Sequence, residues 1–198
     1  MTMAFDAHHD TSDEALMILY ANGDRLAALS LTRRITPRVM AYASRLLSGD
    51  RAEAEDVAQE TMLRLWRIAP EWRQGEAKVT TWAYRVATNL CTDRLRSRQR
   101  RGRTTLDDAP EMPDPGLSEV ERLVETDRAR ALDAALNLLP ERQRQAVVLR
   151  HIEGLSNPDI AAIMDLGVEA VESLTARGKH TLASLLSGQK DAIGYEDH

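Results

Sequence analysis

Between Gly102 and Val120 the chain carries Pro110, Pro113, Pro115 and Gly116 among Asp107, Asp108, Glu111 and Asp114. Prolines at this density remove backbone donors and forbid a continuous helix, and the carboxylates leave too little apolar surface to offset the entropy of ordering. The stretch reads as an extended linker, so whatever folds must fold on either side of it. In a chain of 198 residues that leaves two small domains. No internal repeat relates them, and no low-complexity tract lies outside the linker.

On both sides the apolar period is helical. From Arg51 to Ile68, the residues Ala54, Val57, Ala58, Met62 and Leu65 recur at spacings of three and four. Glu53, Glu55, Asp56 and Glu60 come early in that stretch and Arg64 and Arg67 late, as the helix dipole favours. Similar stripes run through Leu16, Leu19 and Tyr20, through Trp82, Val86, Ala87 and Leu90, through Leu132, Ala135, Leu136 and Leu139, and through Ala146, Val147 and Leu149. No strand-type alternation competes, so the expected fold is all-α: two small helical domains joined by an acidic, proline-rich linker. The expected organisation is a tail over 1–13, a first domain over 14–102, the linker over 103–127, a second domain over 128–186 and a tail over 187–198.

Charge is segregated along this plan. The net of −5, taken whole, argues against a nucleic-acid partner. Yet residues 24–103 hold 17 basic side chains against 9 acidic, residues 104–127 hold 8 acidic against Arg122 alone, and residues 128–187 balance at 7 and 7. The first domain is therefore strongly basic and the linker strongly acidic.

Several classes are excluded. A single cysteine, Cys91, permits no internal disulfide, and it reads as a core thiol on an apolar helical face. No zinc-ligand spacing is present, no metal or cofactor is expected, and His8, His9, His151, His180 and His198 have no motif partners with which to build a hydrolase. No apolar run approaches the roughly 18 residues of a membrane span and no leader pattern opens the chain, so a cytoplasmic location without membrane insertion is expected.

The second domain carries a punctuated pair of helices. Gly154-Leu155 ends one helix, and Ser156-Asn157-Pro158-Asp159 opens the next with a capping residue, a proline in the first turn and an acid three residues after the serine. Asp165-Leu166-Gly167 breaks the chain again, and a longer helix begins near Val168. This is a helix-turn-helix pattern; the same residues also fit a helical hairpin that merely packs. In the basic half, Arg94, Arg96, Arg98, Arg100, Arg101 and Arg103 follow a helix bearing Trp82, Tyr84 and Asn89. Guanidiniums at this density neutralise phosphates, and neighbouring aromatic and amide groups suit unstacked bases. A basic run is also often only a solvated face, and Trp82 reads as a core residue before a base platform.

Together these segments resemble the extracytoplasmic-function (ECF, group 4) sigma factors of bacterial RNA polymerase, of the sigma-70 family. Ala54-Glu55-Asp56-Val57-Ala58-Gln59-Glu60-Thr61 with Leu63-Arg64-Leu65-Trp66 is similar to region 2.2. The run from Thr80 to Cys91 with Asp93-Arg94-Leu95-Arg96 is similar to regions 2.3 and 2.4, and Leu139 to Arg144 with the Gly154-Leu155-Ser156 turn is similar to region 4. The resemblance covers about residues 14–186, in the family's order.

It implies a factor without catalytic residues of its own that directs the polymerase to promoters. Asp56, Gln59, Glu60, Arg64 and Trp66 would contact the clamp helices of core RNA polymerase, with the second domain near the flap. Asn89 would line the pocket for a flipped minus-ten base, whose exposed edge an amide satisfies as both donor and acceptor. Arg94, Arg96, Arg98, Arg100 and Arg101 would hold backbone phosphates. Glu172, Ser173, Ala176, Arg177 and Lys179 would face the minus-35 element from the recognition helix. The expected partners are promoter DNA, core polymerase and an anti-sigma factor, with no small-molecule substrate and with nucleoid association when polymerase-bound.

Three positions depart from the family pattern. Asp165 replaces a turn glycine, at little cost if its backbone is not left-handed. Glu172 stands where lysine or arginine is common, and a carboxylate that repels phosphate but accepts from cytosine predicts an altered minus-35 preference. Thr175 replaces an apolar residue and is expected to loosen the packing of the recognition helix. The alternative function is a sigma-like decoy that binds an anti-sigma factor without initiating transcription; a plain dimeric repressor has no use for the region 2.2 helix.

Overall fold

The computed structural model describes residues 8, 10–73, 75, 77–102 and 120–192, and among these every regular element is helical. The first three helices begin where a side-chain oxygen can satisfy amides that lack an intrahelical partner. Ser12 accepts from the Ala15 amide at 3.2 Å to open α1 (Asp13–Ala21). Asp24 accepts from Leu26 at 2.8 Å to open α2 (Arg25–Leu46), and Asp50 accepts from Glu53 at 3.0 Å to open α3 (Arg51–Ile68). The start of α4 (Val79–Gly102) is served from outside: the Val79 amide donates to Glu14 of α1 at 3.1 Å.

Apolar stripes of three helices make the core of this first unit. Leu31, Ile35, Val39, Tyr42 and Leu46 of α2 meet Ala54, Val57, Ala58 and Leu65 of α3 and Ala83, Ala87 and Cys91 of α4, all buried. Each large aliphatic side chain among them contributes about 1.5–3 kcal/mol by leaving water. Two buried tyrosines join α2 to α4: the rings of Tyr42 and Tyr84 meet edge to face with centroids 5.2 Å apart, and the Tyr42 hydroxyl is paired with Thr88 at 2.8 Å. Cys91 is buried as expected, and burial pushes its thiol up to about 12, which removes the reactive thiolate at neutral pH.

The second unit comprises α5 (Val120–Asn137), α6 (Glu141–Val147) continued by a π-helical turn (Val148–Ile152), α7 (Asn157–Met164) and α8 (Val168–Ala192). Residues 103–119 of the expected linker lie outside the described residues, whereas its last part, from Val120, is helical and belongs to α5. Asp13 likewise opens α1, and α8 runs past residue 186 to Ala192. At the turn between α7 and α8, Asp165 is left-handed at φ 54° and ψ 55°. The condition for a harmless replacement of glycine is therefore not met, and the turn carries the left-handed cost of about 1–2 kcal/mol that glycine avoids. Gly178 allows α8 to lie against α6, since a Cβ there would stand 2.6 Å from Val147 Cγ2.

Buried residues form one continuous cluster across both units. Around the margin of this shared core the contacts are polar. Tyr84 donates to Glu153, beside which Arg38 lies at 3.9 Å. Lys78 pairs with Asp159 at 3.0 Å, Thr92 donates to Glu141 at 3.0 Å, and the buried Arg144 guanidinium donates to the Leu46 carbonyl at 3.3 Å. These polar contacts ring an apolar core that the two units share.

Candidate nucleic-acid and polymerase interface

Helical phase sorts the arginine run. At roughly 100° per residue, Arg85, Asn89, Arg96 and Arg100 fall on one side of α4, while Arg94, Arg98 and Arg101 fall on another. The first set is exposed. Arg98, by contrast, reaches Asp50 at 2.5 Å and Glu53 at 3.1 Å, and Arg94 lies 3.8 Å from Glu53. The structure turns Arg94 and Arg98, read from the sequence as phosphate contacts, towards the acidic start of α3. There they neutralise a capping carboxylate and its neighbour.

Arg85 is the residue that the sequence reading passed over. It lies four residues before Asn89 on the same exposed stripe, and the spacing alone was enough to find it. Trp82 is half-buried and packs on the core cluster, which favours its structural role.

The α3 surface is built by the same arithmetic. Asp56, Gln59, Leu63 and Arg67 recur on its outer side and are exposed, and Leu63 keeps 51% of its surface in water. Glu60 and Arg64 flank this stripe as an ion pair at 2.7 Å, and the Arg64 hydrogen bond holds the Glu60 carboxyl below its ordinary range. Trp66 is half-buried against Tyr20, with ring centroids 4.6 Å apart, so part of its surface is committed to α1. The stripe balances two carboxylates with two guanidiniums around an exposed leucine, a mixed polar and apolar surface.

In α8, Glu172, Ser173, Ala176, Arg177 and Lys179 are all exposed. They share the helix with Val171, which is buried beneath the turn. Glu172 is held across the turn by Asn157, whose amide donates to its carboxylate at 3.3 Å. Thr175 is half-buried and donates to the Val171 carbonyl at 2.8 Å, so its hydroxyl is satisfied within the helix and the expected loosening has no unpaired group behind it. Lys179 and Arg150 stand near His151, and that charge, after burial, lowers the imidazole pKa. The second unit thus gathers positive potential locally although its charges cancel overall.

No group of three or more His, Cys, Asp or Glu among the described residues is placed to hold a metal ion, and no described helix is long and apolar enough to cross a membrane. A mixed polar and apolar face on α3, an exposed arginine-amide stripe on α4 and a helix-turn-helix in the second unit are the surface features of an all-α fold. The Sigma-70 region 2 model matches residues 31–101 and the Sigma-70, region 4 model matches residues 129–182. The chain is 33% identical over 184 residues to the ECF RNA polymerase sigma factor SigM of Mycobacterium tuberculosis, covering 93% of this chain and 89% of that one. It is 36% identical to the ECF RNA polymerase sigma factor SigE of Mycolicibacterium smegmatis, over 90% of this chain and 70% of that one. Its fold is similar to that of CnrH solved with the cytosolic domain of CnrY, with a TM-score of 0.65 at 24% identity over 89% of this chain and 97% of that one. It is also similar to the sigma factor RpoE of Bartonella quintana solved with the anti-sigma factor NepR, with a TM-score of 0.64 at 23% identity over 78% and 93%. This chain belongs to the ECF sigma factors of the sigma-70 family, and it is an RNA polymerase sigma factor.

Proposed function

We propose that the exposed α3 stripe of Asp56, Gln59, Glu60, Leu63 and Arg64 docks on the clamp helices of core RNA polymerase, and that the second unit reaches the flap. Asn89 receives a flipped minus-ten base, with Arg85, Arg96 and Arg100 on the phosphates beside it. The α8 face of Glu172, Ser173, Ala176, Arg177 and Lys179 reads the minus-35 element in the major groove. The chemistry of initiation belongs to the polymerase. The observation that carries this reading is the phase of α4, which presents an amide and three guanidiniums on one exposed stripe while two other arginines hold the scaffold.

Geometry adds a requirement. The α7 helix packs on α4 and α8 packs on α7, which sets the two reading helices roughly two interhelical distances, about 20 Å, apart. Promoter elements about 25 base pairs apart lie about 85 Å from one another at roughly 3.4 Å per base pair. The junction at Tyr84, Lys78 and Thr92 must therefore part before both elements are read. An anti-sigma factor that holds the units together would block that step; one structural neighbour, RpoE of Bartonella quintana, is solved with the anti-sigma factor NepR.

The test is transcription from a randomised promoter library by core polymerase with and without the protein, sequencing the RNA starts. Protein-dependent starts below a shared two-part motif are expected. Core binding with no such starts would identify a decoy, and absence of core binding would remove the docking assignment.

A further inference from the structure

Asn157 is the first residue of α7, and its position is fixed from two sides. Ser156 caps the helix and donates to Asp159 at 2.6 Å, and Asp159 is gripped by Lys78 at 3.0 Å and Thr81 at 3.4 Å. The Asn157 side chain enters the turn with Oδ1 buried and without a hydrogen-bond partner among the described residues, while Nδ2 donates to Glu172 Oε1 at 3.3 Å. Flipping the amide would set an acceptor against a carboxylate, so the Nδ2-to-Glu172 orientation is the only attractive one.

We infer that Asn157 is a positioning residue for base selection: its amide pins one oxygen of Glu172 and aims the other at the major groove, where it accepts from the exocyclic amino group of cytosine or adenine. The inference rests on α8 reading the minus-35 element. A free glutamate samples many rotamers and points its charge at phosphates as readily as at bases, which gives repulsion without selectivity. One engaged oxygen leaves a single acceptor of fixed direction. Guanine O6 and N7 and thymine O4 present only acceptors to it and are rejected. Asn157 thereby converts a departure from the family's usual cation into a specificity element for one base pair.

The experiment repeats the randomised promoter library with the full chain and core polymerase, comparing wild type, Asn157→Ala, Glu172→Ala and the double variant, with thermal melting of each protein as a control for folding. For Asn157→Ala, the preference for C or A over G or T should fall about three- to tenfold at one minus-35 base pair. Preferences at the other positions should hold. In the Glu172→Ala background, Asn157→Ala should have no further effect on that base pair, because the two residues act as one unit. Asn157→Asp, which sets a carboxylate beside a carboxylate, should lose at least as much selectivity as Asn157→Ala. Unchanged preference in Asn157→Ala, equal losses at every position, or full additivity with Glu172→Ala would each overturn the inference. Failure of the wild-type protein to yield any motif would instead overturn the parent reading of α8.

Discussion

The two long helices proposed to face nucleic acid arrange their surfaces by opposite means. On α4 cations are plentiful, and helical phase divides them: Arg94 and Arg98 secure α3, while Arg85, Arg96 and Arg100 share the exposed stripe with Asn89. On α8 cations are few, and packing does the arranging: Gly178 draws the helix against α6, and Asn157 holds Glu172. A basic count therefore overstates the phosphate contacts of the first unit, and a neutral count understates the order of the second. Isolated, the second unit has little counterion release to gain and should bind duplex DNA weakly; tethered to polymerase it meets the promoter at high effective concentration.

The largest effect should come from breaking the close approach on which α8 depends. Gly178→Ala forces a Cβ into the buried Val147 side chain, and the clash outweighs the helix propensity gained. A loss of about 1–3 kcal/mol is expected in urea denaturation. An unchanged midpoint would mean that α6 and α8 separate freely. Next comes the structural share of the arginine run. Arg98→Ala leaves Asp50 without its guanidinium and Glu53 with Arg94 alone; each partner is about a third exposed, so solvent screening limits the loss to about 1–2 kcal/mol. The third variant improves the turn: Asp165→Gly relieves a left-handed backbone but adds freedom to the unfolded chain, for a net gain of about 0.5–1 kcal/mol, read as a rise in Tm.

The junction between the units should respond more gently. Asp159→Asn weakens the Lys78 pair, in which the lysine is largely exposed, so only a modest shift towards separated units is expected. Spin labels on Ser97 and Ser184 in a Cys91→Ala background would report it as a longer distance population. Hydrogen bonds from Ser156, then Lys78 and Thr81, hold the Asp159 carboxyl below its ordinary range. Its contribution is therefore complete above about pH 4, the unfolded value, and is lost as pH falls through the lower folded one. Separation that stays constant as pH falls from 5 to 3 would contradict this assignment.

Much of this was legible in the residues. The helix over Arg51 to Ile68 appears with those bounds because Asp50 caps it and its apolar stripe is regular. The Ser156 cap and the Asp165 break place α7 where the motif predicts. The linker was carried to residue 127 because acidic side chains outnumber Arg122 alone over 104–127, whereas the backbone is helical from Val120 onward. The commitment of Arg94 and Arg98 was hidden because it depends on Asp50 and Glu53 arriving from another helix, which no local pattern records. The Asn157 contact was hidden for the same reason, since it joins residues across the turn whose side chains point towards each other only once α7 and α8 have packed.

The smallest effect on stability is the sharpest discriminator between the two helices. Arg96 is exposed on α4 and Lys179 on α8, so alanine at either position should leave the folding free energy within about 0.5 kcal/mol of wild type. Binding should behave otherwise. If each cation neutralises one phosphate in the polymerase-promoter complex, each variant lowers by about one the slope of log affinity against log salt. Arg96→Ala should show this on a template carrying only the minus-ten element, as the proposed assignment of the α4 stripe to that element requires. Lys179→Ala should show it only when the minus-35 element is present, as the proposed assignment of α8 to that element requires. An equal change for both variants on the shorter template would mean that α8 contacts backbone without its element, and the division of labour between the helices would then lie in charge rather than in base recognition.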